Sequence, residues 1–159
     1  MSALCTTHSS PEYNLDPTDT KKAIDELQLF MDRYPNSERL DTCNVIVDDL
    51  RGKLERKSYE QAKLYYKMEM YNSAVVAMES TLEQYPDTDY QEELLFLRVK
   101  SYYLLATNSV ADKKQERFEK TIESYRIFAD LFSGSNFDKE AKRYAENSTA
   151  QLKKMNTNN

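Results

Sequence analysis

Glycine occurs only twice and proline only four times in the 159 residues. So few turn residues leave no supply for the tight hairpins of a β-sheet, and no stretch sustains an alternation of apolar and polar residues. The expected fold class is all-α. The glycine count also removes phosphate-cradling loops. One histidine, His8, gives a nucleophile no base to work with, and Cys5 and Cys43 lack metal-ligand spacing. No enzyme activity, metal or cofactor is therefore expected, and the many Asp and Glu residues read as solvated helix faces. No apolar run approaches the roughly 18 residues of a membrane span. A net charge of −5, with Lys and Arg scattered among the acids, lacks the basic stripe a nucleic acid requires. Cys43 sits among apolar helix positions and reads as a small buried hydrophobe; Cys5 has no assignment. With no export signal at the start, the chain is either cytosolic or a segment that begins downstream of a signal.

What is present is helical and repeated. Residues 59–88, YEQAKLYYKMEMYNSAVVAMESTLEQYPDT, place Ala62, Tyr65 and Tyr66 on one side of a first helix. They place Ala74, Ala77, Met78 and Leu82 at spacings of three and four in a second. Alanines facing rings let two antiparallel helices approach closely, and Tyr85-Pro86 ends the second helix. This is the tetratricopeptide pattern, although one copy would equally fit any amphipathic hairpin. The pattern recurs. Ala23, Leu27, Phe30 and Tyr34-Pro35 precede the second-helix residues Ala74, Met78, Thr81 and Tyr85-Pro86 by 51 positions, while Thr121, Tyr125, Phe128 and Phe132 follow them by 47. Tyr65-Tyr66 is answered by Tyr102-Tyr103. The expected architecture is a tetratricopeptide-like α-solenoid of about six helices, one of them long.

Taken in order, residues 1–15 read as a loop or frayed end, 16–155 as a single helical-repeat domain, and 156–159 as a disordered tail. The first helix begins near Asp16 or Thr18 and closes at Tyr34. It is the second half of a repeat whose first half is expected before Met1, which makes the chain the C-terminal repeats of a larger protein. From Ser37, a candidate N-cap, a helical period runs through Leu40, Cys43, Val47, Leu50 and Leu54 to the tyrosines. One long helix crossing Gly52 is favoured over two helices joined there. Residues 107–117 are expected to form a polar loop and to extend the start of the next helix, which ends at Ser133-Gly134 with glycine as a left-handed cap. Residues 137–154 form a polar capping helix.

Most of the twelve tyrosines fall at repeat core positions, with Tyr34, Tyr65, Tyr102 and Tyr125 read as core rather than as a ligand site. The first helix of each pair offers a broad face instead. The repeat frame points Tyr59, Lys63, Tyr66 and Lys67 toward it from one unit, and Glu93, Phe96, Lys100 and Tyr103 from the next. Exposed rings beside lysines suit a peptide or a partner domain; the competing reading is a solvated face with partly buried tyrosines.

The runs AIDELQLFMDRYPNS, LRGKLERKSYEQAKLYYKMEMYNSAVVAMESTLEQYPDT and EELLFLRVKSYYLLATNS resemble the BamD family of outer-membrane assembly lipoproteins, and most of all its members from the Bacteroidetes. The most specific parts are the run Lys53-Leu54-Glu55-Arg56-Lys57 leading into the double tyrosine, and the two Tyr-Pro closures. The resemblance implies a non-enzymatic scaffold at the periplasmic face of the outer membrane, held there by an N-terminal lipid that this sequence does not carry. Implied partners are the barrel-forming assembly subunit with its periplasmic domains, other assembly lipoproteins, and unfolded outer-membrane protein segments. Ala77 stands where proteobacterial members tend to have an arginine implicated in docking, so that contact is not carried over. The alternative is another cell-envelope tetratricopeptide adaptor with protein or peptide partners.

Overall fold

A computed structural model of the protein describes residues 18–157. These form six helices and, among the described residues, no strand: α1 Thr18–Arg33, α2 Leu40–Lys67, α3 Tyr71–Gln84, α4 Gln91–Thr107, α5 Ala111–Leu131 and α6 Asp138–Thr157. The expectations for Cys5, His8 and the N-terminal loop fall outside the described residues.

The sequence offsets reappear as one hydrogen-bonded turn built three times. After α1, α3 and α5, the amide of Tyr34, Tyr85 or Phe132 donates to the carbonyl four residues back, on Phe30, Thr81 or Phe128. Three residues on, Ser37, Thr88 and Ser135 donate to Tyr34, Tyr85 and Phe132 and close a reverse turn. The hydroxyls of the same three residues accept the amides of Arg39, Tyr90 and Phe137 at 3.3, 3.2 and 3.0 Å. A hydroxyl residue is needed at that place to start the next helix. Proline occupies the second turn position in the first two copies, where its fixed φ suits the turn. In the third copy Gly134, at φ +92°, takes the third turn position. Glycine there serves the reverse turn after the helix rather than capping the helix itself. In each copy the hydroxyl residue lies three positions ahead of the helix it introduces, so α2 starts three residues after Ser37, its candidate cap.

The chain divides into two compact units between Ser58 and Tyr59. In the first, Ala23, Ile24 and Leu27 of α1 bury against Cys43, Val47 and Leu50 of α2. Cys43 is buried there as a small hydrophobe. In the second unit, Tyr59 and Ala62 meet Ala74 and Met78 of α3, and the cluster continues through Leu94 to Val99, Phe128, Ala141 and Tyr144. Helix α4 buries residues around most of its circumference, Leu94 to Leu97 in unbroken succession, and packs against α3, α5 and α6. It is the axis of this unit.

Helix α2 runs through Gly52 without a break for 28 residues, about 42 Å at 1.5 Å per residue. Its end is a Schellman motif: the amide of Met70 donates to the Tyr65 carbonyl and that of Glu69 to Tyr66. Glu69, at φ +60°, holds the left-handed place that glycine usually fills.

One expectation holds in part and two need correction. The run ADKKQER, largely strong helix formers, extends the start of α5 as expected, while the polar loop shrinks to residues 108–110. Ser109 holds that corner, donating to the Leu105 carbonyl and accepting from Arg117. Tyr34 is not core. Its ring leans on Phe30 at 5.3 Å but stays 52% exposed. The last helix continues through Thr157, whose hydroxyl donates to the Lys153 carbonyl, two residues into the stretch expected to fray.

Candidate docking face

Residues 59–67 of α2, then α4 and α6, are the first helices of successive hairpins in the second unit, and α2 and α4 share one recurring device. An aromatic residue is followed by a lysine four positions on and a tyrosine seven on: Tyr59, Lys63 and Tyr66 in α2, then Phe96, Lys100 and Tyr103 in α4. Two helical turns separate the rings, so both look the same way. The first ring stacks on the aromatic just ahead of the first helix of the next hairpin, Tyr59 on Tyr90 at 4.0 Å and Phe96 on Phe137 at 4.6 Å between centroids. The lysine lies over its own ring, at 4.9 Å for Lys63 and 5.8 Å for Lys100. It then reaches across to a glutamate of that same first helix, α4 or α6: Lys63 to Glu93 Oε1 at 3.0 Å and Lys100 to Glu140 Oε1 at 3.4 Å. Each carboxylate also receives a tyrosine hydroxyl, Tyr59 to Glu93 Oε2 at 2.6 Å and Tyr144 to Glu140 Oε1 at 2.8 Å.

The electrostatics follow from this geometry. Burial alone would push the Glu93 carboxyl up. The hydrogen bonds from Tyr59 and Lys63, with the charges of Lys63 and Lys67, outweigh burial and hold it below the ordinary value. Glu140 is likewise lowered, chiefly by the Tyr144 hydroxyl and then by Lys100 and Arg143 against the opposing effect of burial. Lys63 is raised, first by its hydrogen bond to Tyr59. For Lys100 burial acts downward, but Tyr66, Tyr144 and Glu140 raise it overall. Tyr59 and Tyr144 are raised, by burial first and then by the neighbouring carboxylates. Every group in the two networks is thus held more firmly in the charge state it has at neutral pH.

The residues picked from the sequence separate by depth. Tyr59 and Phe96 are buried at 5% exposure each and belong to the interface between successive hairpins. Lys63 and Lys100 are half-buried, and Tyr66 is half-buried with its ring 6.0 Å from Tyr71. Tyr103 lies 4.8 Å from the Tyr144 ring and 6.2 Å from Phe118. Lys67 is exposed. The structure brings Tyr59 with Lys63, and Tyr66 with Phe96 and Lys100, since Lys100 also lies 5.9 Å from the Tyr66 ring. The sequence reading missed Tyr90, Phe137, Glu140 and Tyr144. A signal for them existed, since Phe137 and Tyr144 repeat the aromatic pair seven apart, but Ala141 stands where the lysine would be.

On the other side of α4, the Tyr102 hydroxyl donates to Glu79 Oε1 at 3.0 Å. Its pKa is pushed up to about 12 by burial and by Glu79. Arg98 lies beside them, largely enclosed, with Nε and Nη2 lacking a hydrogen-bond partner. Burial lowers its guanidinium against the pull of Glu79 and Glu123. Among the described residues no helix is long and apolar enough to cross a membrane.

Two comparisons with known proteins bear on this face. Residues 1–118 match the model of the YfiO family, described as outer membrane lipoprotein. Over 113 residues the chain is 24% identical to the outer membrane protein assembly factor BamD of Caulobacter vibrioides, an alignment covering 71% of this chain and 37% of that protein. The chain therefore spans little more than a third of the length of this curated relative. Glu140 and Tyr144 lie beyond the region that matches the family.

Proposed function

Because the chain belongs to the YfiO family of outer membrane lipoproteins, we propose that it is a non-enzymatic scaffold of outer-membrane β-barrel assembly, docking partners on the face formed by α2, α4 and α6. Family membership carries this reading, and the two networks on the face support it. General acid–base chemistry needs a group whose pKa is drawn toward the working pH. Here Glu93 and Glu140 are lowered and Lys63 and Lys100 raised, away from neutrality. Such groups hold helices together and present a fixed pattern of charge.

In this reading Tyr59 and Phe96 support the face from beneath, while Tyr66, Lys67, Lys63, Lys100 and Tyr103 meet the partner. Rings with limited rotamer freedom beside cations are suited to a protein surface. The partners are the barrel-forming subunit through its periplasmic domains, other assembly lipoproteins, and unfolded outer-membrane protein segments. The site of action is the periplasmic face of the outer membrane, reached by a lipid on the full-length protein.

Calorimetric titration of the chain with the purified periplasmic domains of the barrel-forming subunit from the same source tests this reading. Saturable binding is expected. Lys67→Glu and Tyr66→Ala should each weaken it by about tenfold, corresponding to roughly 1.4 kcal/mol. Absence of binding, or binding indifferent to both changes, would overturn the docking face.

A further inference from the structure

Successive helices of the second unit run in opposite directions, so its two ends collect different turns. One end gathers residues 67–70 at the close of α2, 110–114 around the start of α5, and 153–157 at the close of α6. The other gathers residues 83–92 and 130–139. Their charges differ. The first end carries Lys67, Lys113, Lys114, Lys153 and Lys154 against Glu69 and Asp112, and none of these lysines has an ion pair among the described residues. The second carries Glu83, Asp87, Asp89, Glu92, Asp130 and Asp138 against Lys139.

The lysine-rich end is also the apolar one. Met68, Met70 and Val110 are 58%, 45% and 69% exposed, each at a turn where a polar residue would cost nothing. A protein hot spot would call for Trp, Tyr or Arg, and residues 67–70, 110–114 and 153–157 contain none of them. Lysine is a hydrated point charge on a flexible stem, suited to a diffuse layer of negative charge. Small apolar tips set among lysines enter the headgroup boundary of a bilayer. The acidic far end would be repelled by the same surface, which fixes orientation.

We propose that this end of the second unit rests on an anionic phospholipid bilayer, as a peripheral contact that adjoins the docking face at Lys67 and does not depend on which protein occupies that face. The test is flotation of the full chain with vesicles mixing phosphatidylethanolamine and phosphatidylglycerol, against vesicles of phosphatidylcholine alone. Binding to the anionic vesicles should exceed binding to the neutral ones by at least about tenfold, given about fivefold for each lysine near such a surface. The triple variant Lys113→Glu/Lys153→Glu/Lys154→Glu should lose that preference. The pair Met68→Ser/Val110→Ser should weaken binding severalfold at physiological salt, where screening reduces the purely ionic part. The far-end pair Glu83→Gln/Asp87→Asn should change nothing. All these side chains are exposed, so circular dichroism should show unchanged melting. The proposal fails if the anionic vesicles are not preferred, if the far-end pair matches the lysine variant, or if the serine pair is without effect. Capture of a protein partner through these lysines with no vesicle binding would also overturn it.

Discussion

Replacing Tyr59 separates the two things its side chain does. The ring is buried and stacked on Tyr90 at 4.0 Å. The hydroxyl donates to Glu93 and accepts from Lys63, both at 2.6 Å. Hydrogen bonds to charged groups contribute about 1.5–3 kcal/mol. Lys63 and Glu93 are 27% and 35% exposed and still touch directly at 3.0 Å without the hydroxyl, so water and the remaining pair recover part of this. Tyr59→Phe should therefore cost about 1 kcal/mol, a fall in Tm of about 2–4 °C for a chain of this size. Tyr59→Ala also removes the ring from the contact between α2, α3 and α4, and aromatic-to-alanine changes in cores cost about 3–5 kcal/mol. The expected fall in Tm is roughly 10 °C. Urea unfolding with thermal melts by circular dichroism would measure both. If Tyr59→Ala left Tm within about a degree of the parent, the ring would not anchor the hairpins. If the two variants cost the same, the hydroxyl would be the anchor and the stack incidental.

Further outcomes follow from local geometry. A Cβ added at Gly52 meets nothing within 4 Å, so Gly52→Ala in the interior of α2 should stabilise by about 0.8 kcal/mol, visible as a higher urea midpoint; a lower one would mean that the helix is interrupted there. Glu69 occupies a left-handed backbone conformation that costs about 1 kcal/mol for most residues, partly offset by the entropy glycine loses on folding. Glu69→Gly should stabilise by roughly 0.5 kcal/mol, and a clear loss would show that the glutamate side chain has a stabilising contact. Phe128, fully buried, should cost about 3–5 kcal/mol on truncation to alanine, and a loss under about 1 kcal/mol would contradict its place in the core.

The dependence on pH has a definite sign. Glu93 and Glu140 are lowered in the fold, so their contribution is present above the unfolded carboxyl value and is lost as pH falls through the folded one. Lys63 and Tyr59 are raised, so theirs is present below their unfolded values and is lost as pH rises through the folded ones. Stability from this network should be flat between about pH 5 and 10 and decline on both sides. Lys63→Met should flatten the acid limb of a urea-midpoint profile; an unchanged limb would remove the network as its source.

What the sequence reveals depends on how many constraints act on a position. The turn residues Ser37, Thr88 and Ser135 must each accept an amide and donate one, and that double demand keeps the offsets of 51 and 47 visible. Gly52 is legible as a helix interior because Arg51 and Lys53 offer no turn partner. Residues 107–117 are harder, since Thr107, Asn108 and Ser109 look like a loop until Ser109 is seen tied to Leu105 and Arg117. Glu140 and Tyr144 escape because Ala141 breaks the lysine pattern, and the partner lysine comes from α4 instead. The depth of Tyr59 and Phe96 is invisible in a frame that only says which way a side chain points. Their stacking partners Tyr90 and Phe137 lie just ahead of α4 and α6, and a single hairpin does not show them.

The most direct test of docking on the first-helix face is hydroxyl-radical footprinting of the chain, free and bound to the periplasmic domains of the barrel-forming subunit. Protection is expected at Tyr66 and Tyr103, with no change at the exposed Val76 and Ile127 on the second helices. Protection at Val76 and Ile127 with Tyr66 and Tyr103 unaltered would place the partner on the other face and contradict first-helix docking.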